Sequence, residues 1–547
     1  MPTFIVPTTI NDNNAEASVF FINQDNSTVI VQQGIVLSAT VPSTTVISHF
    51  GSNAALFVDG TVVTNQSFGG IAVQGQDGHI AQIGQTGIVS AGLFAFDLLN
   101  DDDVTILNQG SVFGGTFAAR VGEGSDVTNV GSIHGGVAAV LATESNVTVT
   151  NTGTATGGGF VSGNDDANAI AVSNSGTVDV TGTGIALQES QNRIENSGSF
   201  RTGRSGVEVE GSANRVVNTG SIDAGRNGLV LDTGLELAGG LTAFGDNRVL
   251  NSGSIDAGLS GMIVGGNVNF VVNRGEISAG RVGVSVGVND DVSNGNNTVI
   301  NTGQINALDH ALEVEGTQIT NTGTLTSQTE AVEMAFSSLV NTGFIAGGGG
   351  FAAVSGSLSS SLVNRGTIAG NVVFENGSDT VNTSGGVITG NVFLNDGNDR
   401  FVGGDGDDRV FGGTENDVLL GRGGNDVLRG GEGIDVLNGG AGDDRIFGDG
   451  GNDRLNGGTD NDVLTGGAGI DFFIFSENNG ADRITDFTNG QDRLNLAAFE
   501  FASAAEVLAV TEQRGTATAI DLSGVGGGEI LLLNTDIGVL NAADFLL

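Results

Sequence analysis

The chain has 547 residues, 93 of them glycine, and a formal net charge of −43. All 19 basic residues are arginine, so the overall balance argues against nucleic acid and anionic membranes as partners and for cations as ligands. It has no cysteine, which excludes disulfides, thiolate chemistry and cysteine-zinc sites, while 38% apolar residues and only 3 prolines separate it from disordered chains.

The start, MPTFIVPTTINDNN, shows no charged segment followed by an apolar one, so no ordinary cleaved secretory signal is expected there. No run approaches 18 apolar residues, so no membrane-inserted helix is expected. Residues 1–100 alternate short Val-, Ile- and Phe-rich runs with polar turns, such as TFIV, SVFFI and ALFVDGTVV. These read as strands of a few residues each.

From about residue 100 an Asn-x-Gly turn followed by a strand recurs. Its asparagines are Asn108, Asn129, Asn151, Asn174, Asn196, Asn218, Asn251, Asn273, Asn301, Asn321, Asn341 and Asn364. The steps are 20 to 23 residues except after Asn218 and Asn273, where residues 231–247 and 286–299 read as loop insertions. A period of about 22 with three short strands is the pattern of a parallel β-solenoid with one coil per repeat, and right-handed coiling is the default for parallel connections. One asparagine per coil predicts a ladder in which each side-chain amide pairs with its neighbours and with the turn backbone.

Residues 376–402 mix two patterns: Asn382 keeps the earlier turn, while Gly377-Ser378-Asp379 begins a new one. Over 403–474 a nine-residue phrase then repeats eight times, beginning GGDGDDRVF and GGTENDVLL and ending GGAGIDFFI. The sixth place is always aspartate: Asp408, Asp417, Asp426, Asp435, Asp444, Asp453, Asp462 and Asp471. A degenerate copy, LNDGNDRFV, adds Asp399 in phase. The eighth place is always apolar, from Val410 to Phe473. Two phrases make one coil, so Asp408 is expected against Asp426, with apolar residues inward and aspartates converging with turn carbonyls. Several hard oxygens around a flexible site suit Ca²⁺ better than Mg²⁺.

The phrase resembles the RTX nonapeptide, GGxGxDxUx. The resemblance implies an all-β chain in which a parallel β-helix continues into a calcium-binding β-roll, with several Ca²⁺ ions held at those nine aspartates. Where Arg422, Asp449, Glu415 and Asp460 replace glycines, and where Ile434 and Ile470 replace Asn or Asp, weaker sites are expected. ITDFTNGQDRLNL at 484–496 resembles the segment that closes RTX domains, with Asp486 and Asp492 matching its acidic positions. The final AADFLL, with Asp544 before three apolar residues, resembles the C-terminal signal of type I secretion substrates.

The expected organisation is a solenoid over 1–375, transition coils over 376–402, the roll over 403–474, and a cap with the secretion signal over 475–547. Residues 394–474 hold 17 acids against 6 arginines, a net of −11. Repulsion and glycine entropy are therefore expected to keep this block unfolded until Ca²⁺ arrives outside the cell.

Catalytic constellations are not evident. His49, His79, His134 and His310 are scattered without metal spacing, and Asp101-Asp102-Asp103, Asp165-Asp166 and Asp290-Asp291 lie in polar loops that read as solvated turns. The expected function is therefore non-enzymatic: a calcium-dependent structural protein, secreted by a Gram-negative bacterium through a type I apparatus, that polymerises into a filament, surface layer or biofilm matrix. TFIV and EILLL, at 3–6 and 529–533, are the segments expected to pair head to tail. The alternative is an adhesin whose solenoid loops bind a surface or glycan, and a polysaccharide-modifying enzyme ranks third.

Overall fold

The computed structural model describes residues 3–6, 10–12, 18–22, 27–39, 45–49, 54–64, 71–74, 78–98, 103–232, 245–287 and 296–547. The chain forms two units, Met1–Ala307 and Leu308–Leu547. Both are β-solenoids whose strands pair in parallel, coil upon coil.

In the first unit a coil has three strands, one on each face. Arg193–Asn196, Ser199–Thr202 and Val207–Glu210 are followed by Arg215–Asn218, Ser221–Ala224 and Leu229–Asp232. Arg193 registers with Arg215, Ser199 with Ser221, and Val207 with Leu229. Side chains alternate in and out along each strand, so Ile194, Phe200, Val207 and Val209 are buried under Val216, Ile222, Leu229 and Leu231. β-Branched residues suit this surface because their stiff side chains stack on the like residue of the next coil.

The predicted asparagine ladder is present. Asn196 Nδ2 donates to Asn218 Oδ1 at 2.8 Å and to the Ser221 carbonyl at 3.3 Å. The same amide-to-amide bond runs from Asn108 to Asn301 in the first unit and from Asn321 to Asn364 in the second. These side chains are buried and their amides are consumed by one another and by the backbone, which makes them structural groups and not a ligand row. The interiors of the two insertions, 233–244 and 288–295, lie outside the described residues. Their flanks keep register, Arg215 with Arg248 and Phe270 with Thr298, so extra residues were accommodated without disturbing the ladder.

In the second unit the coil shortens. The middle face ends with Val387–Ile388, which pairs with Thr367–Ala369. Beyond it the coil has two strands: Arg400–Val402 meets Val418–Gly423, and Arg409–Thr414 meets Val427–Glu432. The three-strand coils thus pass directly into the nonapeptide roll, as 376–402 suggested. Val410, Leu419, Leu428, Leu437, Ile446, Leu455, Leu464 and Phe473 are fully buried between the two faces.

The last segment caps the roll. Glu529–Leu532 pairs in parallel with Ala481–Ile484 on one edge and antiparallel with Ala517–Asp521 on the other. EILLL is therefore an interior strand, which corrects the expectation that it offers a free edge. Phe545–Leu546 pairs with Leu494–Asn495. Buried Asp544 accepts from Gly490 N–H at 3.0 Å and Asn541 N–H at 2.7 Å, so AADFLL is docked into the fold.

Of the acidic loops, Asp103, Asp165 and Asp166 are exposed. Asp101, Asp102, Asp290 and Asp291 lie outside the described residues, as does the side chain of His49.

Candidate metal centre

Each nonapeptide aspartate stands at the residue just before a strand, and the coil period lines these residues up in two rows. In the first row, Asp379 N–H donates to Asp399 Oδ1 at 2.8 Å and Asp399 N–H to Asp417 Oδ1 at 2.9 Å. Asp435, Asp453, Asp471 and Asp492 continue it. The second row is Asp408, Asp426, Asp444, Asp462 and Asp482, with bonds of 2.7 to 3.0 Å. One oxygen of each accepting carboxylate thus ties its coil in register to the coil before it.

The other oxygen has no partner. Oδ2 of Asp399, Asp417, Asp426, Asp435, Asp444, Asp453, Asp462 and Asp471 is buried and accepts no hydrogen bond, and Asp379 shares this property. Asp408, at the start of its row, differs: it is half-exposed and its Oδ2 accepts from Gly404 N–H at 3.2 Å. From Asp417 to Asp471 each orphan oxygen rests against the first glycine of its own phrase. A Cβ at Gly439 would fall 1.9 Å from Asp444 Oδ2, and one at Gly457 would fall 2.0 Å from Asp462 Oδ2.

Burial dominates the electrostatics and raises every one of these carboxyls. Asp417 is pushed up to about 8. Asp379, Asp426, Asp444 and Asp462 reach about 7. Asp399, Asp408, Asp435, Asp453 and Asp471 reach about 6. A backbone N–H lowers each, but less than burial raises it, and neighbouring aspartates add repulsion. A row of buried, unpartnered carboxylate oxygens in glycine cradles fits a hard divalent cation, which supplies the missing positive charge.

The ends of the rows are closed by protein groups. Asp482 Oδ2 accepts from Asn479 Nδ2 at 2.8 Å, and Asp492 Oδ2 from Thr488 N–H at 2.7 Å. Asp486 accepts from Gly466 and Gly467 N–H at 2.9 and 2.8 Å. Asp486 and Asp492 therefore anchor the cap to the last coils.

The phrase departures also have physical consequences. Arg422, Asp449, Glu415 and Asp460 stand in left-handed backbone with φ of 70 to 80°, where glycine is favoured. The fifth places form an outer ladder on one edge, Asp407 to Asn425 to Asp443 to Asn461, each accepting from the next coil. On the opposite edge Ile434 and Ile470 each receive an acceptor from the coil before, Asn416 and Asn452 at 2.7 Å, but offer none to the coil after.

A related row, not foreseen from the sequence, uses asparagine. Asn192 N–H donates to Asn214 Oδ1 at 2.9 Å, and Asn214, Asn247, Asn269 and Asn297 continue the pattern. Asn192, Asn214, Asn247 and Asn269 immediately precede a strand, and Asn297 opens one. Their spacing was the available signal, masked by the more conspicuous Asn-x-Gly turns.

A family model of the RTX calcium-binding nonapeptide repeat matches residues 393–428, 420–455 and 438–473. Among solved structures, the AlgE6R3 subunit of the mannuronan C5-epimerase of Azotobacter vinelandii is 30% identical. The match covers 26% of this chain and 80% of that one, with a TM-score of 0.20. The extracellular lipase LipA of Serratia marcescens is 18% identical over 27% of this chain and 40% of its own length, with a TM-score of 0.16. No curated protein matches the sequence. With its paired rows of aspartates and their glycine cradles, the chain belongs to the RTX calcium-binding repeat proteins, and a parallel β-solenoid precedes its nonapeptides.

Proposed function

We propose that the protein is exported unfolded in its nonapeptide block, folds on extracellular Ca²⁺, and serves as a structural component of a filament, surface layer or biofilm matrix. The observation that carries this is the double row of orphan carboxylate oxygens. Without cations they leave buried charge unpaired, whereas Ca²⁺ binding contributes its free energy directly to coil formation. Low intracellular Ca²⁺ then keeps the block threadable through a type I exporter. Folding propagates coil by coil in a stack of this kind.

Self-association is supported by the first strand. Thr3–Ile5 pairs with Thr28–Ile30, no other pairing of it occurs among the described residues, and Ile5 is 52% exposed. Such an edge is a template for another strand. Sedimentation velocity of the full-length protein, first with chelator and then with millimolar Ca²⁺, tests this reading. Regular polymers appearing with Ca²⁺ support it, and a compact monomer that binds Ca²⁺ without assembling contradicts it.

An adhesin is favoured by one specific surface. Arg193, Arg215 and Arg248 register directly on successive strands, and Phe270 follows them, 42% exposed. Arg215, Arg248, Arg274, Phe270, Val217 and Leu250 line a groove of 210 Å³. The overall negative charge conceals this basic stripe. Like charges at strand spacing repel, and a linear acidic polysaccharide would relieve them while its sugar faces cover Phe270. Retention on immobilised polyuronate but not on a neutral glucan, lost in R215A/R248A, is the outcome this reading predicts.

A further inference from the structure

The nonapeptides account for one class of metal site, built from oxygen alone. A second cluster, outside them, mixes nitrogen and oxygen. His310 begins the strand His310–Glu315, and the next coil places Val332–Ala335 beside it with Leu312 on Val332 and Glu313 on Glu333. Glu330 stands two residues before that strand. The separation of His310 and Glu330 is 20 residues, one coil, so the solenoid period brings together groups with no metal spacing in sequence.

One ring nitrogen of His310 and one carboxylate oxygen each from Glu330 and Glu333 lie within 4.8 Å of one another. His310 Nε2 is 3.5 Å from Glu333 Oε2, while Nδ1 is buried without a hydrogen-bond partner. Ser355 Oγ, from the coil after, donates to Glu330 Oε2 at 3.0 Å and orients that carboxylate. Glu313 faces Glu333 directly across the strand pair. In-register carboxylates repel, and no arginine ion pair to either occurs among the described residues.

We propose that His310, Glu330 and Glu333 form a binding site for a borderline divalent cation such as Zn²⁺, distinct from the calcium rows. Imidazole with two carboxylates is a donor set that Zn²⁺ takes at about 2.0–2.2 Å, and Ca²⁺ prefers all-oxygen sites. Small rotamer changes draw three ligand atoms already this close onto one ion. The bound cation links two successive coils and offsets the repulsion between Glu313 and Glu333. Water completes its coordination, because Glu333 is half exposed.

The test is isothermal titration of full-length protein with Zn²⁺ at saturating Ca²⁺, comparing wild type with H310A and with the near-isosteric E333Q. The wild type is expected to bind one more Zn²⁺ than either variant, or to bind it about tenfold or more tightly. The calcium-induced circular dichroism of E333Q, unchanged from wild type, establishes that the fold survives. Equal zinc stoichiometry and affinity in wild type and E333Q overturns the proposal.

Discussion

Asp435 N–H donates to Asp453 Oδ1 at 2.9 Å, the same distance at which Asn192 N–H reaches Asn214 Oδ1. The two acceptors occupy equivalent places before a strand and differ in their second atom. Asn214 Nδ2 donates to the Glu210 carbonyl at 3.1 Å, and Asn269 Nδ2 to the Gly265 carbonyl at 2.9 Å. In the aspartate coils that atom is an oxygen, which cannot donate to a carbonyl. A bound cation would supply there the positive partner that the amide hydrogen supplies at Asn214 and Asn269. At Asn192, Asn214 and Asn269 protein groups satisfy the amide, Asn247 and Asn297 leave Nδ2 without a partner, and the aspartate coils leave a buried carboxylate oxygen for a cation to neutralise.

Replacing Asp453 by asparagine keeps the Oδ1 acceptor and removes the charge. Calcium stoichiometry is expected to fall, by one ion or by the two that share its coil, while the β signal at saturating Ca²⁺ is retained. Equilibrium dialysis with circular dichroism checks this. Unchanged stoichiometry would show that Asp453 Oδ2 is not a ligand.

Gly439→Ala puts a methyl 1.9 Å from Asp444 Oδ2, whereas nothing lies within 4 Å of a Cβ at Gly406. The first substitution is expected to cost about 1–3 kcal/mol of calcium-bound stability by overpacking, and Gly406→Ala to be near neutral. Chemical denaturation in Ca²⁺ compares the two.

Ile434 is 54% exposed and interrupts the outer ladder. Ile434→Asn restores an acceptor for the next coil, and a gain of about 0.5–1.5 kcal/mol follows from one added hydrogen bond. A melting temperature no higher than that of wild type would count against the ladder as a source of stability.

Asn196→Leu removes a buried amide from the middle of a ladder, leaving Asn174 Nδ2 and Asn218 Oδ1 short of a partner. A loss of about 2–4 kcal/mol is expected, since each stranded polar group costs about 1–3 kcal/mol. This loss should be the same with chelator as with Ca²⁺, because no carboxylate is involved.

The pH dependence has a definite sign. Burial holds the metal-free folded carboxyls at about 6 to 8, above the unfolded value of about 3.9. The folded metal-free roll therefore binds more protons than the unfolded chain, and its penalty is fully present above pH 8. Acidification through pH 8 to 6 is expected to promote chelator-treated roll formation and to weaken Ca²⁺ binding, as protons compete for the same oxygens. Far-UV circular dichroism and calcium titrations across pH 5–8.5 read both trends.

Much of this was legible in the sequence because repetition converts spacing into geometry. An invariant aspartate every nine residues specified the two rows, and Asn-x-Gly every 20 to 23 residues specified the ladder. Less regular groups escaped notice. Asn192, Asn214 and Asn247 form a row whose spacing is stretched by an insertion, and His310 meets Glu330 only through the coil period. EILLL reads as an edge from composition alone, but its two neighbours come from 481–484 and 517–521, which no local pattern links to it.

Hydrogen exchange on the full-length protein, with chelator and then with millimolar Ca²⁺, tests metal-dependent folding most directly. With chelator, amides in the strands from Arg409 to Ile474 are expected to exchange freely while the asparagine-ladder strands from Thr105 to Asn301 remain protected. Added Ca²⁺ should protect the former and leave the latter unchanged. Full protection of 409–474 in chelator would contradict the claim, because the aspartate rows would then hold their coils without a cation.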